Sequence, residues 1–277
     1  MTAGTDDEAG ADTGVEIEYR DGVCWITLAR PERLNAVDTD MLRTIRAEQL
    51  RLMDDAEQAR AVVFSGSGRA FCAGADLAHI EAIARDPLAY RGFLHALRDV
   101  IVGFEQLPQP VIAAVHGVAL AGGFELMSGC DIIVAARSAM IGDQHAQRGF
   151  VPGGGSSQRV PRWLPRPQAR DLLFSGRWLT GDDALAMGLV SRVTDDDDLL
   201  AVVGDLAREL AGRNWPAMRR MKELARLAEE LPLADGLEVE IRYCLEHGRE
   251  GEVFHGVEGF RRGERSSPDG VADRPRR

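Results

Sequence analysis

Two glycine-rich segments contain the residues of this 277-residue chain whose types and spacing suggest chemistry. Residues 68–77 read GRAFCAGADL and residues 116–126 read HGVALAGGFEL, and each follows a short apolar run. Small residues let a ligand approach the backbone, and N–H groups at a helix start have no intrahelical partner. Two such turns facing each other would hold an oxyanion between two N–H donors. Either turn taken alone also fits tight packing without a ligand.

Glu125 is the first candidate catalytic side chain. It lies three residues after Gly122, in the first turn of the helix that the glycines are predicted to open. A carboxylate there could orient water or move a proton. The alternative is an ordinary first-turn acid that the helix dipole favours. The apolar neighbours of Glu125 in the sequence and the adjacent oxyanion turn favour catalysis.

The surrounding hydrophobic pattern predicts the elements that must position these residues. Alternation from Val15 to Thr27 around Asp21 and Gly22 predicts a β-hairpin. The apolar runs 61–64, 111–115 and 132–134 predict buried strands, separated by stretches with helical spacing. Beyond Gly181 the pattern is helical. The sequence therefore predicts an α/β fold with a helical C-terminal third.

Composition excludes several classes of protein. The net charge of −11 opposes nonspecific nucleic-acid binding, and the four cysteines form no CxxC pair that would indicate a metal or redox site. No apolar stretch reaches the roughly 20 residues that a membrane-spanning helix needs. The N-terminus lacks the basic and apolar regions of a signal peptide. We therefore expect a soluble cytoplasmic protein with disordered tails at residues 1–14 and 266–277.

The motifs taken together resemble those of the crotonase (enoyl-CoA hydratase/isomerase) superfamily, in order, over residues 15–265. The matching segments are RPERLNA (30–36), FCAGADL (71–77), PVIAAVHG (110–117), GGFE (122–125), CD (130–131), VPGGGSSQR (151–159), ALAMGLV (184–190) and EGF (258–260).

This resemblance implies a spiral of ββα units over residues 15–195 and an α-helical C-terminal trimerisation region over residues 196–265. It implies a homotrimer or a dimer of trimers. The ligand would be an acyl-CoA thioester, with coenzyme A present as part of the substrate and no other cofactor or metal. The thioester oxygen would lie between the backbone N–H groups of Ala75 and Gly122, where negative charge develops during the reaction.

The resemblance also implies contacts with CoA or the rest of the substrate. The residues at the corresponding positions are Arg33, Ala36, Ala73, Asp76, Leu77 and Gly123. The phosphates of CoA need cations, and Arg33 in the first motif is favoured over Lys222 and Arg261 in the C-terminal helices. The glycines at 153–155 are expected to open a helix under the acyl pocket.

The sequence departs from the superfamily at its second catalytic glutamate, where this chain has His145. Three interpretations follow. His145 could replace that glutamate as an acid or base, since its usual pKa of about 6.5 suits proton transfer near neutrality. Glu125 could work alone, as in single-glutamate isomerases of the superfamily. His145 could instead bind a polar acyl group in a thioester or carbon–carbon hydrolysis. Asp143 could orient the imidazole if the chain bends there.

These considerations rank hydration of a 2-enoyl-CoA to a 3-hydroxyacyl-CoA slightly ahead of double-bond migration. A different class of function is a non-catalytic acyl-CoA-binding protein that keeps the fold. The presence of Glu125 argues against that class, and the sequence therefore predicts an enzyme.

Overall fold

The computed structural model describes residues 13–261, so the predicted disordered tails lie outside the described residues except for Thr13 and Gly14. Contacts between residues divide the chain into two compact units, and the boundary along the sequence lies between Ala211 and Gly212. The predicted boundary was between residues 195 and 196. The difference arises because the helix at Leu199–Ala211 packs against the sheet of the first unit.

The first unit contains eight strands in the part of the chain that the structure describes. They are β1 (Val15–Arg20), β2 (Val23–Leu28), β3 (Ala61–Gly66), β4 (Val111–Val115), β5 (Val118–Leu120), β6 (Ile132–Ala136), β7 (Met140–Gly142) and β8 (Arg192–Thr194). Its α-helices are α1 (Thr39–Asp54), α2 (Leu77–Ile83), α3 (Pro87–Gln106), α4 (Gly122–Met127), α5 (Ser156–Trp163), α6 (Arg166–Ser175), α7 (Gly181–Met187) and α8 (Leu199–Ala211).

Six strands form one sheet in the order β1-β2-β3-β4-β6-β8. The predicted hairpin is confirmed, because β1 and β2 pair antiparallel around the turn at Asp21 and Gly22. All later neighbours pair in parallel. Strands β3 and β4 are buried along nearly their whole length, as their unbroken apolar sequences predict for parallel strands covered on both faces.

A second, smaller layer is formed by short extended segments that follow the strands of the large sheet. Strands β5 and β7 pair in parallel, and isolated parallel bridges join Cys72 to Ala119 and Val37 to Ala75. Strand β4 is thus followed by β5 and then α4, and β3 is followed by the extended segment at Cys72 and then α2. This strand, strand, helix repetition is the spiral of ββα units that the resemblance implies.

The hydrophobic core holds these layers together. Helices α1 and α3 pack against each other, and α8 packs on β3 and β4. The rings of Phe64 and Phe104 lie with their centroids 4.9 Å apart, and both side chains are fully buried. Burying a side chain of this size stabilises the fold by roughly 1.5–3 kcal/mol. The turns that carry the candidate site therefore extend from strands whose residues are buried in this core.

The second unit consists of three helices in its described part: α9 (Trp215–Ala228), α10 (Leu233–Arg249) and α11 (Glu252–Arg261). Helices α9 and α10 pack together, and Arg220 of α9 makes an ion pair of 2.6 Å with Glu250 just after α10. Among residues 13–261, no helix combines the length and the hydropathy that crossing a membrane requires.

Candidate active site

The first predicted oxyanion turn is fixed by its own backbone hydrogen bonds. The N–H of Val37 donates to the carbonyl of Gly74 and the N–H of Asp76 donates to the carbonyl of Val37, each at 2.8 Å. Gly74 has φ of +105°, a value that favours glycine, and this conformation turns the chain between these bonds. The N–H of Ala75 donates to no group within residues 13–261, and Ala75 lines a cavity.

The second turn brings Gly122 to the same cavity. The N–H of Ala121 donates to the carbonyl of Gly142 at 3.1 Å, and helix α4 begins at the next residue. As the first residue of that helix, Gly122 has an N–H without an intrahelical acceptor, and no other acceptor for it lies in the described segment. A Cβ built on Gly122 would lie 3.3 Å from the nitrogen of Ala75. The two turns therefore meet, and their free donors can bind one oxyanion.

Glu125 is buried, with 1% of its surface exposed, and its two carboxylate oxygens have different surroundings. Oε1 accepts hydrogen bonds from the backbone N–H groups of Gly154 at 2.8 Å and Ser156 at 3.1 Å. Oε2 lies 3.7 Å from Nε2 of His145. The backbone thus holds one oxygen in place and leaves the other beside the imidazole.

The sequence left open whether Asp143 could reach His145, and in the structure the two side chains are in contact. Gln144 between them has φ of +56°, an uncommon conformation for a non-glycine residue. Nδ1 of His145 lies 3.1 Å from Oδ1 of Asp143, and both residues are buried. Because an ionised carboxylate only accepts, Nδ1 carries the proton and Nε2 faces Glu125.

Burial and charge shift the two titrating groups in this arrangement. Burial raises the pKa of Glu125, although His145 and the two backbone donors oppose that rise. Burial lowers the pKa of His145, but the hydrogen bond to Asp143 and the charge of Glu125 outweigh it, so the pKa of His145 is raised. Both shifts favour the protonated form of each group, and shifts of this kind are common where side chains transfer protons.

The cavity that contains these groups has a volume of about 340 Å³. Its walls are largely apolar, as is usual for sites that bind small organic molecules. The apolar lining side chains are Leu77, Ile80, Phe93, Leu94, Leu97, Leu120, Phe150 and Val151. Several of them come from α2 and α3. Within residues 13–261, no group of three or more His, Cys, Asp or Glu side chains could hold a metal ion.

The predicted substrate-contact residues fall into different places. Ala73 and Leu77 line the cavity. Asp76 is buried and accepts hydrogen bonds from Arg33 at 2.7 Å and from the N–H groups of Ala78 and His79 at the start of α2. Burial raises the pKa of Asp76, but these hydrogen bonds outweigh that effect, so the pKa is lowered. Arg33 is therefore paired with Asp76, and half of its side chain remains exposed.

The remaining predicted contacts are not among the residues that line the cavity in the described chain. Ala36 lies beside the Arg33 loop, where its N–H donates to the carbonyl of Arg33. At Gly123 an added Cβ would lie 2.2 Å from the carbonyl oxygen of Cys72, so this glycine allows α4 to pack closely on the first turn. Lys222 and Arg261 belong to α9 and α11 of the second unit.

Sequence reasoning missed the donors to Glu125 and three polar residues of the cavity lining, one of which is Gln144. The glycines at 153–155 were expected to precede a helix, and α5 does begin at Ser156, but nothing in the sequence indicated that this backbone binds a side chain. At Gly154 an added Cβ would lie 2.9 Å from Oε2 of Glu125, so glycine is needed there. Tyr90 and Arg148 also line the cavity, and their sequence context carried no signal.

Comparisons with known proteins point to one family. The sequence model of the family described as Enoyl-CoA hydratase/isomerase matches residues 18–268. A protein of Rhizobium meliloti named "Probable enoyl-CoA hydratase" is 36% identical over 246 residues, which cover 86% of this chain and 91% of that protein. The human "Enoyl-CoA hydratase domain-containing protein 2, mitochondrial" is 33% identical over 263 residues, which cover 91% of this chain and 89% of that protein.

Solved structures give the same result. A crystal structure titled as an enoyl-CoA hydratase from Polaromonas sp. JS666 superposes with a TM-score of 0.86 at 29% identity, covering 92% of this chain and 98% of that one. An enoyl-CoA hydratase structure from Bacillus anthracis also gives 0.86, at 30% identity, with the same coverage of both chains.

Proposed function

This chain belongs to the enoyl-CoA hydratase/isomerase family, and from that premise we propose that it hydrates a 2-enoyl-CoA to a 3-hydroxyacyl-CoA. The observation that carries the proposal is the 3.7 Å separation between Oε2 of Glu125 and Nε2 of His145 in a cavity that also presents two free N–H donors. Those two side chains supply a base and an acid, which are the two proton-transfer groups that addition of water requires.

The oxyanion turns account for activation of the substrate. The thioester oxygen accepts hydrogen bonds from the N–H groups of Ala75 and Gly122. Addition of water at the β carbon places negative charge on that oxygen, and the two donors stabilise the charge. One donor of this kind is typically worth about 3–4 kcal/mol of transition-state stabilisation.

The proton transfers then balance between the two side chains. Water gives a proton to the Glu125 carboxylate while its hydroxyl adds to the β carbon, and protonated His145 gives the proton on Nε2 to the α carbon. Glu125 afterwards returns its proton to His145, which restores the starting state. Asp143 keeps Nδ1 protonated and so directs Nε2 towards the substrate throughout.

Incubation with crotonyl-CoA and mass analysis of the products tests the proposal. We expect a gain of one water relative to a control without enzyme. No gain, in an assay where an authentic hydratase works, would contradict hydration of short 2-enoyl substrates.

A second candidate is isomerisation of a 3-enoyl-CoA by Glu125 alone. It is favoured by the fact that Glu125 is the carboxylate that reaches the cavity, while Asp143 lies behind His145. Conversion of a 3-enoyl-CoA to its 2-enoyl isomer without gain of mass would support it. Release of free CoA thiol in the same assay would instead indicate thioester hydrolysis, and loss of that release in His145→Gln would assign it to His145.

The proposal includes the assembly that the resemblance implies, a homotrimer or a dimer of trimers. It is supported by four apolar side chains of α10, Leu233, Leu237, Ile241 and Leu245, which recur every four residues and are all exposed in the single chain. A stripe of this kind is typical of a helix that packs against a partner. Light scattering of the purified protein would give a mass three or six times that of the chain.

A further inference from the structure

Arg148 stands out among the residues that line the cavity because its charge has no partner there. Its guanidinium makes no hydrogen bond or ion pair with any residue between 13 and 261. Arg33 and Arg159, which lie in motifs near the site, both have carboxylate partners: Arg33 pairs with Asp76 at 2.7 Å, an acid that it shares with Arg30, and Arg159 pairs with Glu105 at 2.6 Å. Arg148 therefore differs from these neighbours in having a free positive charge.

The local backbone explains why Arg148 reaches the cavity. Residues Ala146–Arg148 form a single turn of 3₁₀ helix, and the N–H of Arg148 donates to the carbonyl of His145 at 3.0 Å. A 3₁₀ helix has three residues per turn, so side chains three positions apart lie on the same side. His145 and Arg148 therefore both line the cavity, the first beside Glu125 and the second at its exposed rim.

Tyr90 of α3 supplies a second polar group to the same cavity. Its hydroxyl has no hydrogen-bond partner in the described part of the chain, and the side chain is half-buried. The neighbouring cavity positions on α3, Phe93, Leu94 and Leu97, are all apolar. An arginine and a tyrosine hydroxyl both donate hydrogen bonds, and an ionised carboxylate is a group that only accepts them.

We infer that the acyl group of the substrate carries an anionic end group, a carboxylate, which Arg148 binds with help from the Tyr90 hydroxyl. The inference rests on the proposed function, because the oxyanion turn must hold the thioester for the acyl chain to extend along this cavity. It narrows the substrate class from 2-enoyl-CoAs in general to those with an acidic acyl chain.

Binding of three non-reacting ligands tests the inference without any turnover. The ligands are glutaryl-CoA, which ends in a carboxylate, pentanoyl-CoA, which has the same number of acyl carbons and a methyl end, and CoA itself. Titration calorimetry of the full-length protein should show glutaryl-CoA binding about tenfold more tightly than pentanoyl-CoA, the size expected for one charge-assisted hydrogen bond.

Variants then identify the residues that are responsible for the preference for glutaryl-CoA over pentanoyl-CoA. Arg148→Met should abolish the preference for glutaryl-CoA and leave the affinity for pentanoyl-CoA within about twofold, and Arg148→Lys should keep part of it. Tyr90→Phe should reduce the preference about threefold. Arg91→Met is the matched control, because Arg91 is exposed on α3 and lies outside the cavity lining. Circular dichroism should show that all four variants are folded.

Three outcomes would overturn the inference. The wild-type protein could bind glutaryl-CoA no more tightly than pentanoyl-CoA, or the preference could survive in Arg148→Met. Alternatively, Arg148→Met could weaken the binding of all three ligands equally, which would indicate that Arg148 binds the phosphates of CoA. If none of the three ligands bound to the wild-type protein, the proposed acyl-CoA function itself would fail, so the two failures are distinguishable.

Discussion

The candidate site has two sides that are built in different ways. On one side the groups are backbone N–H donors, Ala75 and Gly122, held by hydrogen bonds that link the two turns to Val37 and Gly142. On the other side the groups are the side chains Glu125, His145 and Asp143, each held by contacts with the next. The first side requires small residues, while the second depends on which side chain stands at each position.

The difference predicts how each side tolerates change. The backbone side should fail when added atoms fill the space between the donors, whatever their charge. The side-chain side should fail when charge or proton capacity is lost, even if shape is kept. Substitutions that separate these two kinds of failure therefore test both the site and the proposed chemistry.

The largest effect is expected for Glu125→Gln, which keeps the shape and removes the base. General acid–base groups contribute about 10² to 10⁴-fold, and we expect kcat to fall by about 10⁴-fold. The amide oxygen can still accept from the N–H groups of Gly154 and Ser156. Hydration of crotonyl-CoA measures the loss. Glu81→Gln, an exposed change on α2, is the control and should retain wild-type rates.

The same variant should not be less stable. Because the pKa of Glu125 is raised in the folded protein, the folded state binds its proton more tightly than the unfolded state does. Glu125 therefore destabilises the fold above its unfolded pKa, and this cost is relieved as the pH falls. The Tm of Glu125→Gln at pH 7 should equal or exceed that of the wild type. A marked fall in Tm would show that the carboxylate serves structure.

His145→Gln should have the next largest effect. It removes the proton donor and leaves Glu125 intact, so we expect a loss of about 10³-fold in kcat for hydration. If Glu125 works alone as an isomerase base, conversion of a 3-enoyl-CoA should survive in this variant. His95→Gln, an exposed histidine on α3, serves as control. Unchanged hydration in His145→Gln would make the imidazole a bystander.

Gly122→Ala tests the backbone side without changing any charge. The new methyl would lie 3.3 Å from the Ala75 nitrogen, in the space between the two donors. We expect kcat/KM to fall by about 10²-fold, comparable to the loss of one oxyanion donor. Gly92→Ala is a matched control on α3, where an added methyl meets no atom within 4 Å. Equal rates for the two variants would remove Gly122 from the oxyanion site.

Asp143→Asn should have the smallest effect on rate and a distinct effect on pH dependence. The change removes the carboxylate that helps to raise the pKa of His145, so that pKa should fall. Because His145 acts in its protonated form, the alkaline limb of kcat/KM should move to lower pH, with about a tenfold loss in rate. Asp197→Asn, which changes an exposed residue, should leave the pH profile in place.

Much of the fold was predictable because its signals are local. The hairpin at β1 and β2 follows from alternation around a two-residue turn, and the parallel strands follow from short apolar runs. The glycine-rich turns suggest free N–H groups for the same local reason, since a helix start leaves such groups without a partner, while the choice of Ala75 and Gly122 rests on the resemblance to the superfamily. The boundary after Ala211 was not predictable, because it depends on which surface α8 covers.

The pairing of charged side chains could not be predicted from the sequence either. Arg33 was expected to be available for phosphates, yet Asp76, 43 positions later, accepts a hydrogen bond from it. Residues this far apart come together only when the fold brings their two loops side by side. The sequence of one loop does not indicate which other loop it will contact. The same holds for Gly154 and Ser156, whose N–H groups bind a carboxylate from another helix.

The sequence by itself determined the class of fold, the two glycine-rich turns, the place of Glu125 in a first helical turn and the presence of a histidine where the resemblance leads one to expect a second acid. The tertiary structure decided that Asp143 and His145 touch, because the Gln144 side chain between them is hydrogen-bonded to the distant carbonyl of Gly176 and both neighbours are buried. It also decided that Arg148 shares the cavity with His145 through one turn of 3₁₀ helix. Local patterns fix backbone conformation, whereas the approach of charged side chains depends on how several distant segments pack together.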